Sequence, residues 1–521
     1  MPVEPGITRS AQTSRIFRIR GQKSLFYPDE RLSPEDALVL QNINKTTQRA
    51  TARRNGYTKF NSVQMTETAV AKPAVGIKQF NFITNGRQIA VPSGSKVYGV
   101  GAANKDITGT LSLTDGANNL YRFAAIDDKI LATNDVDETW YWGGDYTTPT
   151  AAVALTGMQW STCRDLVAHR NLLIALNTVE SGTRRSTRIR WCDIDKTTLT
   201  NIDILTWPAK HVYDLYEDGP AIVGAADAFG MLVVFKEDGI YPCRLNYDTG
   251  LIEMNVFEDN VQRGFDPVAK CSIVTHPAFG VWVVCRDGAY VVDRNLQVRF
   301  VTPDLQNQWN AFNESRLQYA VSWVRTRDHQ VRTLLSSSSN TSGHDRILVW
   351  NWLTDEVWID DFEAAFNYGT EYIQSSDQDI FDALGDTNGY IQQGNTGTTD
   401  DGSSIQYVVE MAPNDLGYPG RAKTFINLKT IAVYESTERS VDIIIDIDQG
   451  QTDTVSGTLT IGANLTYDSG LTYDSGLEYP GGATELQPIF VNRVGNTIAP
   501  LWRGITAAAL VGYQVDFEVE E

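Results

Sequence analysis

Apolar positions along this chain come in short runs or in alternation with polar ones, and most runs are bounded by Gly, Asp, Asn or Ser. A period of two between turn residues predicts β-strands. Two stretches repeat one phrase: "FGMLVVFKEDGIY" from Phe229 to Tyr241, and "FGVWVVCRDGAY" from Phe279 to Tyr290. Val233-Val234 aligns with Val283-Val284, Lys236 with Arg286, Asp238-Gly239 with Asp287-Gly288, and Tyr241 with Tyr290. Each reads as a strand, an Asp-Gly turn supplying positive φ, and a return strand.

Looser copies lie at 86–100, 127–142, 169–195 and 345–360. The strand centres fall near residues 89, 131, 173, 233, 283 and 348. A hairpin repeat of roughly 40 to 50 residues, with loop insertions, marks the blades of a propeller. The expected fold is all-β: a β-propeller over 73–401 with six blades, and 371–395 as the segment for a seventh. From about Gly402, "SSIQYVVEM", "TFINLKTIAVYE" and "SVDIIIDIDQG" alternate like strands with one wet face. They predict a separate C-terminal β-sandwich over 402–521.

Residues 1–72 form a basic N-terminal segment, expected to pack on a neighbouring domain or subunit. Within it, Ser33 as N-cap and Pro34 at the first helical position predict one short helix over 32–44. Near the other end, "LTYDSG" occurs twice in tandem over 465–476, followed by "LEYPGG" to 482. This predicts a protruding hairpin whose Tyr467, Tyr473 and Tyr479 are candidate tip contacts.

Charge sharpens the division. The net charge is −20, yet residues 1–72 carry 12 Lys and Arg against 6 Asp and Glu, and residues 403–521 carry 6 against 16. An acidic body does not hold nucleic acid by neutralising phosphates. The basic segment, with Arg49, Arg53 and Arg54, is a candidate adaptor or inter-subunit contact. No run approaches the roughly 20 apolar residues that span a bilayer, so no membrane insertion is expected. The first ten residues lack an apolar stretch behind a basic start, and the expectation is folding in a cytosol. Five cysteines, widely spaced and without C-x-x-C, fit neither a zinc knuckle nor a disulfide framework.

No phosphate-binding glycine loop, nucleophile elbow or paired-histidine motif is present. "DTNGY" from Asp386 to Tyr390 starts like a calcium loop but lacks its closing Glu, and reads as a tight turn. Neither catalysis nor a cofactor is expected. A carboxylate pair for glycoside hydrolysis is compatible with the composition, but the Asp boxes of sialidase-type propellers are missing. Regular Gly-Gly or Trp-Asp marks of a cellular scaffold propeller are missing too.

The order of the pieces carries a resemblance. "LQNINKTTQRATARRNGYTKF" (40–60) precedes "LVVFKEDGIYPCRLN" (232–246), "GFDPVAKCSIVTHPAFGVWVVCRDGAYVVD" (264–293), "RILVWNWLTDEVWIDD" (346–361) and "YPGRAKTFINLKTIAVY" (418–434). Together they resemble the tail nozzle, or tail tubular, proteins of short-tailed double-stranded DNA bacteriophages. The resemblance covers most of residues 30–440; the tandem LTYDSG has no counterpart in it. It implies a virion structural protein, assembled in the host cytoplasm as a homo-oligomeric ring of six copies. The ring would sit below the head-to-tail adaptor, beside tail spikes or fibres, and would pass genomic DNA without sequence-specific binding. An acidic bore suits that task, because it repels phosphate. The alternative is a carbohydrate-binding or glycoside-hydrolysing propeller at a tail tip.

Overall fold

The computed structural model describes residues 12–16, 18–23, 32–45, 50–83, 85–101, 104–145, 150–194, 202–216, 219–246, 253–256, 261–374, 378–433, 439–448, 453–461, 483–485, 489–505 and 509–519. Two compact units divide the chain: one holds 57–354 and 361–396, the other 1–56, 355–360 and 397–521.

The first unit is a β-propeller. Among the described residues, seven antiparallel blades follow one another: blades 1, 2, 3 and 5 are separate four-stranded sheets, blade 4 has a fifth short strand, and blades 6 and 7 share the long strand Glu356–Ile373 within one larger sheet. The innermost strands of blades 1 to 6 are Lys78–Phe82, Arg122–Ile126, Thr162–His169, Ile222–Ala228, Val274–His276 and Val321–Arg325. Blade 7 opens within the long strand Glu356–Ile373 and continues through Ile380–Asp386 and Ile391–Gly394. Its outer strand is Tyr57–Lys59, paired with Gly394 back to Gln392. The ring is thus latched by residues from the start of the unit. Blade 1 meets blade 7 through Gln79, whose amide donates to the Ile373 carbonyl at 2.8 Å and accepts from its N–H at 3.0 Å.

The repeated phrase occupies equivalent places in blades 4 and 5: Met231–Lys236 with Gly239–Asn246, and Gly280–Val284 with Ala289–Val292. In both, the closing tyrosine donates to the turn aspartate, Tyr241 to Asp238 at 2.8 Å and Tyr290 to Asp287 at 2.7 Å. The turn glycines are needed for close approach. A Cβ on Gly239 would lie 2.1 Å from the Gln262 carbonyl oxygen, and one on Gly288 2.1 Å from the Phe300 ring. Gly239 does adopt a positive φ of 152°, whereas Gly288 does not.

Several expectations need correction. The strand centre at 348 is the third strand of blade 6, His344–Asn351; the second is Gln330–Leu335. With it, second strands begin at 231, 280, 330 and 380, an even spacing that the centre at 348 obscured. The seventh unit is a full blade.

No helix forms over 32–44. Ser33 and Asp36 do make the expected local bonds, the Asp36 carboxylate accepting from the Ser33 N–H at 2.8 Å, but these close a single turn. Ala37–Gln41 then runs as a strand against Tyr407–Met411, and Asn42 at φ 55° ends it. A distant partner strand overrides the capping signal. Nor is 1–72 one segment: residues to 56 belong to the second unit, and Tyr57–Lys59 completes the propeller.

The second unit is a β-sandwich. In one sheet Lys423–Val433 pairs with Leu510–Val519, which also pairs with Gln12–Ile16. In the other, Tyr407–Met411 and Arg439–Ile447 flank Ile498–Gly504. Alternation is strict where it faces inward: Val441, Ile443, Ile445 and Ile447 are fully buried. Trp502 of one sheet donates its indole N–H to Thr430 of the other at 2.8 Å and packs on Tyr513. The tandem repeat lies outside the described residues.

Candidate functional site

All seven blades bring the start of their inner strands to the propeller axis, where they enclose a cavity of about 400 Å³. Two cations stand side by side there, because Lys78 and Arg122 are the first residues of the inner strands of blades 1 and 2. The Arg122 guanidinium reaches across the axis. It donates to Asp165 of blade 3 at 2.8 Å, to the Ala225 carbonyl of blade 4 at 3.5 Å and to the Ile273 carbonyl of blade 5 at 3.2 Å. Asp165, fully buried, also accepts from the Leu166 and Ala225 N–H groups, both at 2.9 Å. A buried ion pair of this kind survives because the Asp165 carboxylate is fully engaged by the guanidinium and two backbone N–H groups.

Lys78 is different. Burial lowers its pKa, and the neighbouring Arg122 charge lowers it further. The acids of the cavity, Asp227 and Glu371, lie further along the inner strands, where Asp227 binds His169 at 2.8 Å and Glu371 accepts from the Thr326 N–H at 3.2 Å. The axial cavity therefore has a cationic end and an acidic end.

A second cavity, of about 590 Å³, opens on blades 3 to 6, lined by Arg164 of an inner strand, by Glu237 and Arg286 of the turns after second strands, and by Asp266, Glu314 and Gln318 of the segments before inner strands. Three of its charges satisfy one another: Arg286 binds Asp266 at 2.8 Å and Glu314 at 3.0 Å. Exposed pairs like these contribute little. An aromatic cluster also forms at blades 5 and 6, where His276 packs on Phe279 and Trp352, and His329 meets Trp352 edge-on.

The sequence candidates fall elsewhere. Arg54 is buried and makes a two-pronged ion pair with Asp400, at 2.8 and 2.6 Å, while its Nε donates to Asn42 at 3.0 Å. It holds the sandwich unit together. Arg53 is half-buried and donates to the Ile505 carbonyl. Arg49, Tyr467, Tyr473 and Tyr479 lie outside the described residues. Sequence reasoning passed over Lys78, Arg122 and Asp165, because nothing local marks three residues that meet only when the ring closes. Among the described residues, no group of three or more His, Cys, Asp or Glu is placed to hold a metal. No described helix is long and apolar enough to cross a membrane.

The fold and its axis define a seven-bladed β-propeller joined to a β-sandwich. No family model and no curated protein matches the chain. Among solved structures it is similar to BBS1N in complex with ARL6DN, with TM-score 0.37 and 10% identity over 67% of this chain and 99% of that one. It is likewise similar to YCF48 bound to D1 peptide, with TM-score 0.38 and 11% identity over 66% and 97%. The WD40 β-propeller domain of Doa1 gives TM-score 0.37 and 9% identity over 65% and 96%. These likenesses bring no partner or activity to this chain.

Proposed function

We propose that this protein is a structural component of a bacteriophage tail, a nozzle that assembles as a ring of six below the head-to-tail adaptor and conducts genomic DNA. The observation that supports it most is the order of pieces along the chain, from basic N-terminal segment through propeller to β-sandwich. Its net charge of −20 suits a conduit, because a wall of carboxylates keeps phosphates from the Lys and Arg contacts that would stall transit.

Light scattering of the purified protein, alone and with adaptor rings, tests this. Six copies of 57.8 kDa give a particle of about 350 kDa; a chain that stays monomeric even with adaptor present would sink the reading. Arg53 is the residue to reverse in probing the contact, since Arg53→Glu leaves the Arg54–Asp400 pair in place. Loss of the ring in a folded Arg53→Glu protein places the contact there; an unchanged ring removes Arg53 from it.

The alternative, a carbohydrate-binding propeller, draws support from the cluster of His276, Phe279 and Trp352, since aromatic faces stack on sugars. Binding to host polysaccharide that Trp352→Ala abolishes would favour it.

A further inference from the structure

We propose that the propeller axis holds a small oxyanion, a phosphate or a carboxylate, gripped by Lys78 and Arg122. Three observations carry this. First, the cavity of about 400 Å³ is walled by all seven blades, a size that suits a small molecule. Second, the Lys78 ammonium has three N–H donors and, among the described residues, neither an ion pair nor a side-chain hydrogen bond. The two carboxylates that line the cavity already have partners, Asp227 in His169 and Glu371 in the Thr326 N–H, and Asp165 behind it is paired with Arg122. Third, Arg122 uses three of its five N–H donors on Asp165, Ala225 and Ile273, and keeps two for a ligand.

A lysine placed against an arginine inside a protein is costly unless an anion joins them. The Arg122–Asp165 pair cancels its own charge, so Lys78 leaves this end of the cavity with one net positive charge to be met. An oxyanion with two or more oxygens meets it, taking Lys78 on one oxygen and the free N–H groups of Arg122 on another, in charge-assisted hydrogen bonds. The site belongs to a single propeller, so it stands independently of any ring of subunits.

Titration of the full-length protein with inorganic phosphate and, separately, with acetate, at constant ionic strength in chloride, tests the proposal by calorimetry and by thermal unfolding. Saturable binding of either ion to the unmodified protein is expected, with a rise in melting temperature that chloride does not give. Lys78→Met should weaken binding about tenfold or more, by loss of one charge-assisted contact, and should lose the anion-dependent rise in melting temperature. Lys78→Arg should keep both. Without anion, Lys78→Met should melt no lower than the unmodified protein, which also establishes that it folds. The proposal is overturned if neither ion binds saturably at concentrations up to about 20 mM, a Kd range that corresponds to negligible affinity. It is equally overturned if Lys78→Met binds as well as the original.

Discussion

Two joints of the propeller are built on opposite principles. Blades 4 and 5 meet through a dry wall of Ala226, Val233, Phe235, Ile273, Val281, Val283 and Cys285, all buried. Blades 6 and 7 meet on a charge. There Asp382, 1% exposed, accepts from the Trp323 indole at 2.8 Å and from the guanidinium groups of Arg325 and Arg332 at 3.2 and 2.5 Å. The dry joint draws its strength from area removed from water and tolerates a change of shape at modest cost. An ionic joint depends on its partners being present, because the fully buried Asp382 is the carboxylate that Arg325 and Arg332 share. Similar blade geometry is thus held by a forgiving contact in one place and an unforgiving one in another.

The largest effect should come from breaking the ionic joint. Asp382→Ala removes the carboxylate shared by two buried guanidinium groups, of which Arg325 keeps its pair with Asp328 at 2.6 Å, and should cost about 3–5 kcal/mol in chemical denaturation. Burial pushes the Asp382 carboxyl up, but the Arg325 and Arg332 charges and the Trp323 hydrogen bond outweigh it, and the carboxyl titrates below its ordinary range. A depressed folded pKa means that this stability is complete above the unfolded carboxylate value of about 4 and is lost as pH falls through the folded one. Asp382→Asn should flatten that part of the acid limb when unfolding is followed against pH.

Next come the paired valines of the dry joint. Val233→Ala and Val283→Ala should each cost about 1.5–3 kcal/mol, by transfer and cavity terms, because both are fully buried in the same joint, one from each blade. A cost near zero for either would remove that valine from the dry joint. Smallest are the turn tyrosines. Tyr241→Phe should cost about 0.5–1.5 kcal/mol and Tyr290→Phe less, since the Tyr290 bond to Asp287 is exposed to water and the Tyr241 bond to Asp238 is half-buried.

These joints also explain what could be read from the chain. The dry joint is written as a local pattern, a β-branched run before Asp-Gly, and so the hairpins of blades 4 and 5 were visible in the sequence. Blade 6 was found one strand late because its second strand carries Arg332 and Thr333 where an apolar run was sought; both point at partners from other strands. Tyr57–Lys59 looked like part of a basic head, since its partner strand, Ile391–Gly394, lies near the far end of the propeller sequence. The strand Ala37–Gln41 was mistaken for a helix for the same reason: its pairing with Tyr407–Met411 is invisible to local propensity. Arg54, a candidate adaptor or inter-subunit contact in the sequence, is a buried clamp on Asp400. Axial residues were the least legible of all, each lying in an unremarkable strand start.

The proposal that these blades and this sandwich build a tail conduit is tested most directly by an electron-microscopy reconstruction of the protein assembled on its adaptor. The account predicts a six-fold ring, one propeller per copy, around a bore lined by Asp and Glu. Isolated single copies, or a ring whose bore is basic or apolar, would contradict it.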